Sequence, residues 1–199
     1  MDPVHPIFRK TLRRQEEPSQ GRYLTFSYFR RRPFLSGRGS PVWLCDALEA
    51  ARVKHPFQLW AYVFMPEHVH LLIQPNEGVT VSAILHTLKP AVTHKALRWV
   101  REHRPAFLAR MKDQQPNGKC FYRFWQRGGG YDRNIWTIQE LYEKIDYIHA
   151  NPVRRGLVEH PGDWPWSSWR AWHDGSDSPV RIDRESLPPW ESPDGLPRH

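Results

Sequence analysis

Two histidines one residue apart, His68 and His70, stand in the run Met65-Pro66-Glu67-His68-Val69-His70-Leu71-Leu72-Ile73-Gln74. Imidazole is a common ligand for divalent metals and titrates near neutral pH. Side chains alternate faces along a β-strand. On a strand, His68, His70, Leu72 and Gln74 share one face, and Val69, Leu71 and Ile73 share the other. The second face is apolar and suits a core. The first sets two imidazoles side by side, a chelating arrangement for one divalent ion. Alone, a His-x-His pair is more often two histidines on a half-exposed strand.

A second stretch changes that weighing. Thr137 to about Ala150 reads as a helix, with Thr137 and Glu140 as a capping box and Ile138, Leu141, Ile145 and Ile148 as its buried stripe. Tyr147 precedes Ile148 and is rotated about 100° off that stripe. Asn151 follows four residues later, on Tyr147's face, and Asn151-Pro152 is expected to end the helix. If the helix packs on the histidine face, His68, His70 and Asn151 become three ligands for a hard ion such as Mg²⁺ or Mn²⁺, leaving positions for phosphate oxygens. Tyr147 then stands as a nucleophile beside the ion. Taken singly, a half-buried structural tyrosine and an asparagine capping a carbonyl before proline are the commoner cases.

These residues need a scaffold. Arg22 to Phe29 is aromatic and β-prone and forms the first predicted strand, ended by the basic cluster Arg30-Arg31-Arg32-Pro33. Pro41 to Val53 is a predicted helix with Ser40 as N-cap. Phe57 to Met65 is a second strand with Phe57, Leu59, Ala61, Val63 and Met65 on one face, and Pro66-Glu67 links it as an antiparallel hairpin to the histidine strand. Thr80 to about Lys112 is helical, to be kinked or split by Pro90 and Pro105. Its polar face carries Lys95 and Arg98, a possible DNA-backbone track or simply a solvated face. Cys120 to Gln126 is the predicted fourth strand, and Gly128-Gly129-Gly130 a hinge or flexible turn. This order fits an α+β fold, the ferredoxin-like split βαβ plait: a four-stranded antiparallel sheet with two helices on one face and the Tyr147 helix as an addition on the other. The expected organisation is a disordered arm over residues 1–20, one domain over 21–173, and a disordered, proline-rich tail over 174–199.

Composition narrows the partners. The chain has 199 residues, Lys plus Arg 29 against Asp plus Glu 21, a formal net charge of +8 and ten tryptophans. A basic chain with aromatic rings suits a polyanion, and single-stranded bases stack on such rings. No secretory signal or membrane span is evident. Cys45 and Cys120 lack metal-knuckle spacing and suit a reduced compartment. The expected location is the cytoplasm, with no nucleotide cofactor, since the glycine run lacks the Lys-Ser/Thr of a phosphate loop.

The stretches Met65 to Leu72, Asp146 to Val158 and Asp163-Trp164-Pro165-Trp166-Ser167-Ser168 together resemble the REP-associated tyrosine transposases, of the IS200-like single-tyrosine HUH family. The similarity runs over most of Tyr23 to Trp169, including Phe124-Trp125-Gln126. It implies cleavage and rejoining of single-stranded DNA at palindromic hairpin repeats. On the matching motifs, His68 and His70 are the HUH pair, Tyr147 the nucleophile and Asn151 the third metal ligand, where many relatives have glutamine. The resemblance further implies Mg²⁺ or Mn²⁺ as cofactor, a 5′-phosphotyrosine intermediate, single-stranded or hairpin DNA as partner, and a monomer or homodimer. Arg30, Arg31, Arg32, Lys95, Arg98, Arg154 and Arg155 are the expected DNA-backbone contacts. Two other readings compete: a hairpin-binding regulator without catalysis, and a metal-dependent nuclease that uses water. Tyr131, after the glycines, is a competing nucleophile ranked below Tyr147.

Overall fold

Apolar residues fill one face of the two central strands, and this is what the fold is built on. The structure, a computed structural model, describes residues 20–35, 40–128 and 130–189. Strands β1 (Arg22–Ser27), β2 (Phe57–Phe64), β3 (His68–Pro75) and β6 (Tyr131–Asn134) form one antiparallel sheet in the order β2-β3-β1-β6. Helices α1 (Ser40–Lys54) and α2 (Val81–His103) pack together on one face. Leu24 and Phe26 of β1 and Val69, Leu71 and Ile73 of β3 are buried in this layer. The arrangement is the split βαβ plait expected from the order of elements.

The fourth strand is not the predicted one. Cys120–Tyr122 is β5, which pairs with β4 (Lys112–Gln114), after the short helix α3 (Leu108–Met111), in a separate two-stranded ribbon. The edge position falls to Tyr131–Asn134, whose charged sequence carries no strand pattern. It is held instead by the Arg22 guanidinium, which bonds Asp132 at 2.7 Å and also Asn134. Gly130, at φ +77, permits the entry: a Cβ there would lie 2.3 Å from the Thr25 carbonyl oxygen. It is therefore a close-packed contact on β1 rather than a free hinge.

A β-bulge at Trp60 corrects the reading of β2. Leu59 pairs with Ile73 but Ala61 pairs with Leu72. One extra residue moves every later side chain to the opposite face. Phe57 and Leu59 therefore lie with Ile73, while Ala61 and Val63 lie with Leu72 and His70. The two prolines also behave differently from each other. Helix α2 runs through Pro90 unbroken and ends before Pro105.

Helix α4 (Ile138–Arg154) covers the other face. Thr137 Oγ1 accepts from the Glu140 amide and Glu140 accepts from the Trp136 amide, so the cap forms as expected. The helix does not stop at Asn151 but continues through Pro152 to Arg154. Its first turn lines a cleft with Gln74, at the end of β3, and Arg155 just beyond it reaches Glu67, before the start of β3. It therefore runs antiparallel to β3 along that strand's whole length, about 25 Å of helix against about 23 Å of strand.

Residues 174–189, expected to be disordered, are instead a strap along the free edge of β2. The Asp183 amide donates to the Leu59 carbonyl and its carboxylate accepts from the Leu59 amide, both at 2.8 Å. Val180 and Ile182 are buried. Upstream, Trp166 and Ser168 bond Phe64 and Tyr62 in the same way. An open edge strand is a template for aggregation, and these two segments close it. The expected N-terminal arm and the end of the tail lie outside the described residues. Among the described residues no helix is long and apolar enough to cross a membrane.

Candidate active site

The antiparallel register of β1 and β3 sets Thr25 opposite His70 and Tyr23 opposite Leu72. All face α4. The Tyr23 and Thr25 hydroxyls lie 2.7 and 2.8 Å from His70 Nδ1. Glu67 Oε1 lies 3.5 Å from His68 Nδ1. The two Nε2 atoms meet 2.9 Å apart. Each Nδ1 thus has an oxygen beside it, and in the tautomer with the hydrogen on Nδ1 both Nε2 lone pairs converge on one point. Metal-binding histidines are commonly oriented in this way, by an oxygen at the ring nitrogen that faces away from the ion.

Electrostatics keep the pair neutral. Burial lowers the pKa of His70 to about 3, helped by His68. Burial also lowers that of His68, opposed by Glu67 and assisted by Arg155 and Arg31. Neutral imidazole is the form that ligates. Adjacent ligands of an octahedral ion, each about 2.1 Å from the metal, are about 3 Å apart. The 2.9 Å between the two Nε2 atoms matches that spacing, so these residues fit a divalent ion.

Tyr147 reaches this pair. Its ring centroid is 5.8 Å from that of His70 and 6.2 Å from that of Tyr23, edge-on to both. Lys144 Nζ and the Arg154 guanidinium lie 5.6 and 5.0 Å from the Tyr147 ring centroid. The tyrosine is half-buried under two cations, beside the converging imidazoles. Asn151 is buried, and its Nδ2 donates to the Tyr147 carbonyl at 3.1 Å. Its described partner is thus helix backbone rather than either histidine. Among the described residues no group of three or more His, Cys, Asp or Glu is placed to share a metal.

The basic residues divide into two sets. Arg155 bonds Glu67 at 2.6 Å, and Arg154 and Arg31 also border the site. Arg30 and Arg31 take left-handed conformations, at φ 57 and 50. The Arg30 amide donates to Gln126, which pins that strained turn, and Arg32 donates to the Arg110 carbonyl. Lys95 and Arg98, by contrast, lie on α2, where Lys95 pairs with Asp46 of α1 at 2.7 Å. That layer is on the far side of the sheet from the histidines. Tyr131 stands closer to the site than its sequence position suggests, 6.1 Å from the Tyr23 ring. Tyr23 and Thr25 were not legible as site residues. Their period-two spacing was visible, but the register that sets them against His70 was not.

The family model described as IS200-like transposase matches residues 24–128, which includes the histidine pair and ends before α4. The chain belongs to the IS200-like transposase family. Its IS200-like sequence is 32% identical over 116 residues to a protein of Haemophilus influenzae named as a REP-associated tyrosine transposase. That alignment covers 58% of this chain and 60% of the relative. It is 28% identical over 127 residues to the REP-associated tyrosine transposase of Escherichia coli K12, covering 63% of this chain and 62% of that protein. The chain thus spans about 60% of the length of the curated relatives it matches. The solved structure of a REP-associated tyrosine transposase bound to a REP hairpin shares the fold, with TM-score 0.63 and 22% identity over 86% of this chain and 91% of that one.

Proposed function

We propose that this IS200-like protein cleaves and rejoins single-stranded DNA at palindromic hairpin repeats through a covalent bond to Tyr147. The observation that carries the reading is the approach of the Tyr147 ring to His70 within one chain. The named activity of the two curated relatives and the hairpin in the solved relative point to the same substrate class.

The Tyr147 hydroxyl oxygen attacks the scissile phosphorus in line. The bond from phosphorus to the 3′ oxygen breaks, and that oxygen leaves as a 3′-OH with a proton. The product is a 5′-phosphotyrosine, and attack by another 3′-OH reverses the step and joins strands. Bond energy stays in the intermediate, so no nucleotide cofactor is consumed. His68 and His70, with the side-chain carbonyl oxygen of Asn151, would hold Mg²⁺ or Mn²⁺. That ion would polarise the phosphate and offset its charge. Lys144 and Arg154 flank Tyr147 and meet the charge of the incoming backbone. Arg31 and Arg155 border His68 and hold neighbouring phosphates, as would Arg30 and Arg32. Because histidines and tyrosine belong to one chain, a monomer suffices. Action on chromosomal repeats places the protein in the cytoplasm.

The test uses a hairpin oligonucleotide with single-stranded flanks, taken from repeats near the gene and labelled at either end, with Mn²⁺ or Mg²⁺. The 3′-labelled strand should appear as a protein adduct that survives denaturation, and the 5′-labelled strand as a shorter fragment ending in 3′-OH. Cleavage without an adduct means that water is the nucleophile. Binding without cleavage means a regulator.

A further inference from the structure

On the histidine face, at the opposite end of α4 from Arg155, is an open cleft of about 420 Å³. It is lined by Gln20, Trp60, Gln74, Trp136, Ile138 and Leu187, among others. Its size falls within the roughly 300–1,000 Å³ of clefts that take small ligands. Two features of it bear on what it could hold. Trp136 is 61% exposed and Ile138 40%, although Trp136 directly follows a buried residue, Ile135. Gln20 Oε1 is buried, with no hydrogen-bond partner among the described residues. A buried acceptor without a partner costs free energy unless a ligand supplies one, and the exposed Trp136 ring beside it offers a face for stacking.

The cleft has a fixed relation to Tyr147. Gln74 is four residues along β3 from His70, about 13 Å. Ile138 is nine residues along α4 from Tyr147, also about 13 Å. Between the two sites lies Lys144, which faces both Tyr23 and Tyr147, while Arg133 on the edge strand is paired with Glu140 of α4 at 2.8 Å. The span is at most about four nucleotides, at the duplex rise of roughly 3.4 Å per nucleotide along a strand.

We propose that this cleft takes one unpaired nucleobase of the DNA strand whose phosphate lies at Tyr147. The base stacks on the Trp136 indole and offers an N–H to Gln20 Oε1. Stacking on an aromatic ring is the sequence-tolerant way in which proteins hold single-stranded bases. The Gln20 acceptor adds preference for a base edge that donates. The cleft therefore sets which phosphate reaches Tyr147, by counting nucleotides from an anchored base. This rests on the DNA-cleaving reading above.

The experiment places 2-aminopurine at each position of the single-stranded flanks of the hairpin oligonucleotide in turn. Fluorescence is read on binding to wild type and to Trp136→Ala. One position within about four nucleotides of the cleaved phosphate should be quenched by wild type and not by the variant. An abasic substitution at that same position should weaken wild-type binding roughly 5- to 150-fold, the range of one base–aromatic stack, and leave the variant unaffected. Trp136 is exposed, so the variant should keep the wild-type melting temperature. Quenching profiles identical in the two proteins overturn the cleft's assignment. If wild type still forms its adduct, the DNA-cleaving reading survives that failure. If wild type neither binds nor cuts any hairpin, both fall.

Discussion

Tyr147 stands edge-on to His70 across the interface between α4 and the sheet, with ring centroids 5.8 Å apart and both residues in one chain. On the proposed reading the site is assembled in cis. Two inactive variants, His70→Ala and Tyr147→Phe, should therefore not rescue each other when mixed. Adduct formation in the mixture should equal the sum of the two alone. Recovery towards about a quarter of the wild-type level would show that a second copy supplies the tyrosine, since half of randomly mixed dimers are mixed and each then holds one intact site of two.

His70 is aimed by two hydroxyls, Tyr23 at 2.7 Å and Thr25 at 2.8 Å. Either can hold Nδ1 alone, so Tyr23→Phe should change Mn²⁺ affinity little. The double variant Tyr23→Phe with Thr25→Val should weaken it about 10- to 100-fold, as lost second-shell support does. Titration of Mn²⁺ followed by paramagnetic resonance reads both. Equal affinities in wild type and double variant would remove the metal role from this pair.

The pH dependence of stability follows from His70 and His149. Burial lowers both pKa values to about 3, against about 6.5 when unfolded. A depressed histidine binds its proton more readily in the unfolded chain. Its neutral form is fully tolerated above pH 6.5, and stability drains away as pH falls from there towards 3. Each group contributes up to about 1.4 kcal/mol per pH unit in that window. Urea unfolding at pH 7.5, 6 and 5 should show a steep loss in wild type and a shallower one in His149→Gln. Parallel curves would contradict the shifts.

Asp183 fastens the strap to β2. Its carboxylate accepts from the Leu59 amide at 2.8 Å and lies 3.5 Å from Arg52, with all three groups largely buried. Asp183→Ala leaves that amide without its acceptor and should cost about 1–3 kcal/mol. Chemical denaturation measures it. An unchanged midpoint would mean that the strap contributes nothing at this point.

How far the sequence discloses this molecule depends on where the information lies. The histidine strand and the Tyr147 helix were legible because alternation and a 3.6-residue stripe are local signals. The edge strand was not, because Tyr131–Asn134 has no apolar pattern and is held by Arg22 from across the sheet. Aromatic Cys120–Gln126 looked like the better strand and became a ribbon of its own. The strap was hidden for a related reason. Its polar, proline-bearing composition reads as disorder, yet backbone bonds to a bulged edge strand fix it. Lys95 and Arg98 were grouped with the site by charge, and only the layering separates them from it.

If Tyr147 is the nucleophile, a denaturing gel of the DNA adduct must lose its signal on substitution of that residue alone. Wild type, Tyr147→Phe and Tyr131→Phe are run side by side on the 3′-labelled hairpin with Mn²⁺. The geometry predicts a denaturation-resistant adduct for wild type and for Tyr131→Phe, and none for Tyr147→Phe, with hairpin binding retained in all three. An adduct that persists in Tyr147→Phe, or one that disappears only in Tyr131→Phe, would contradict the account.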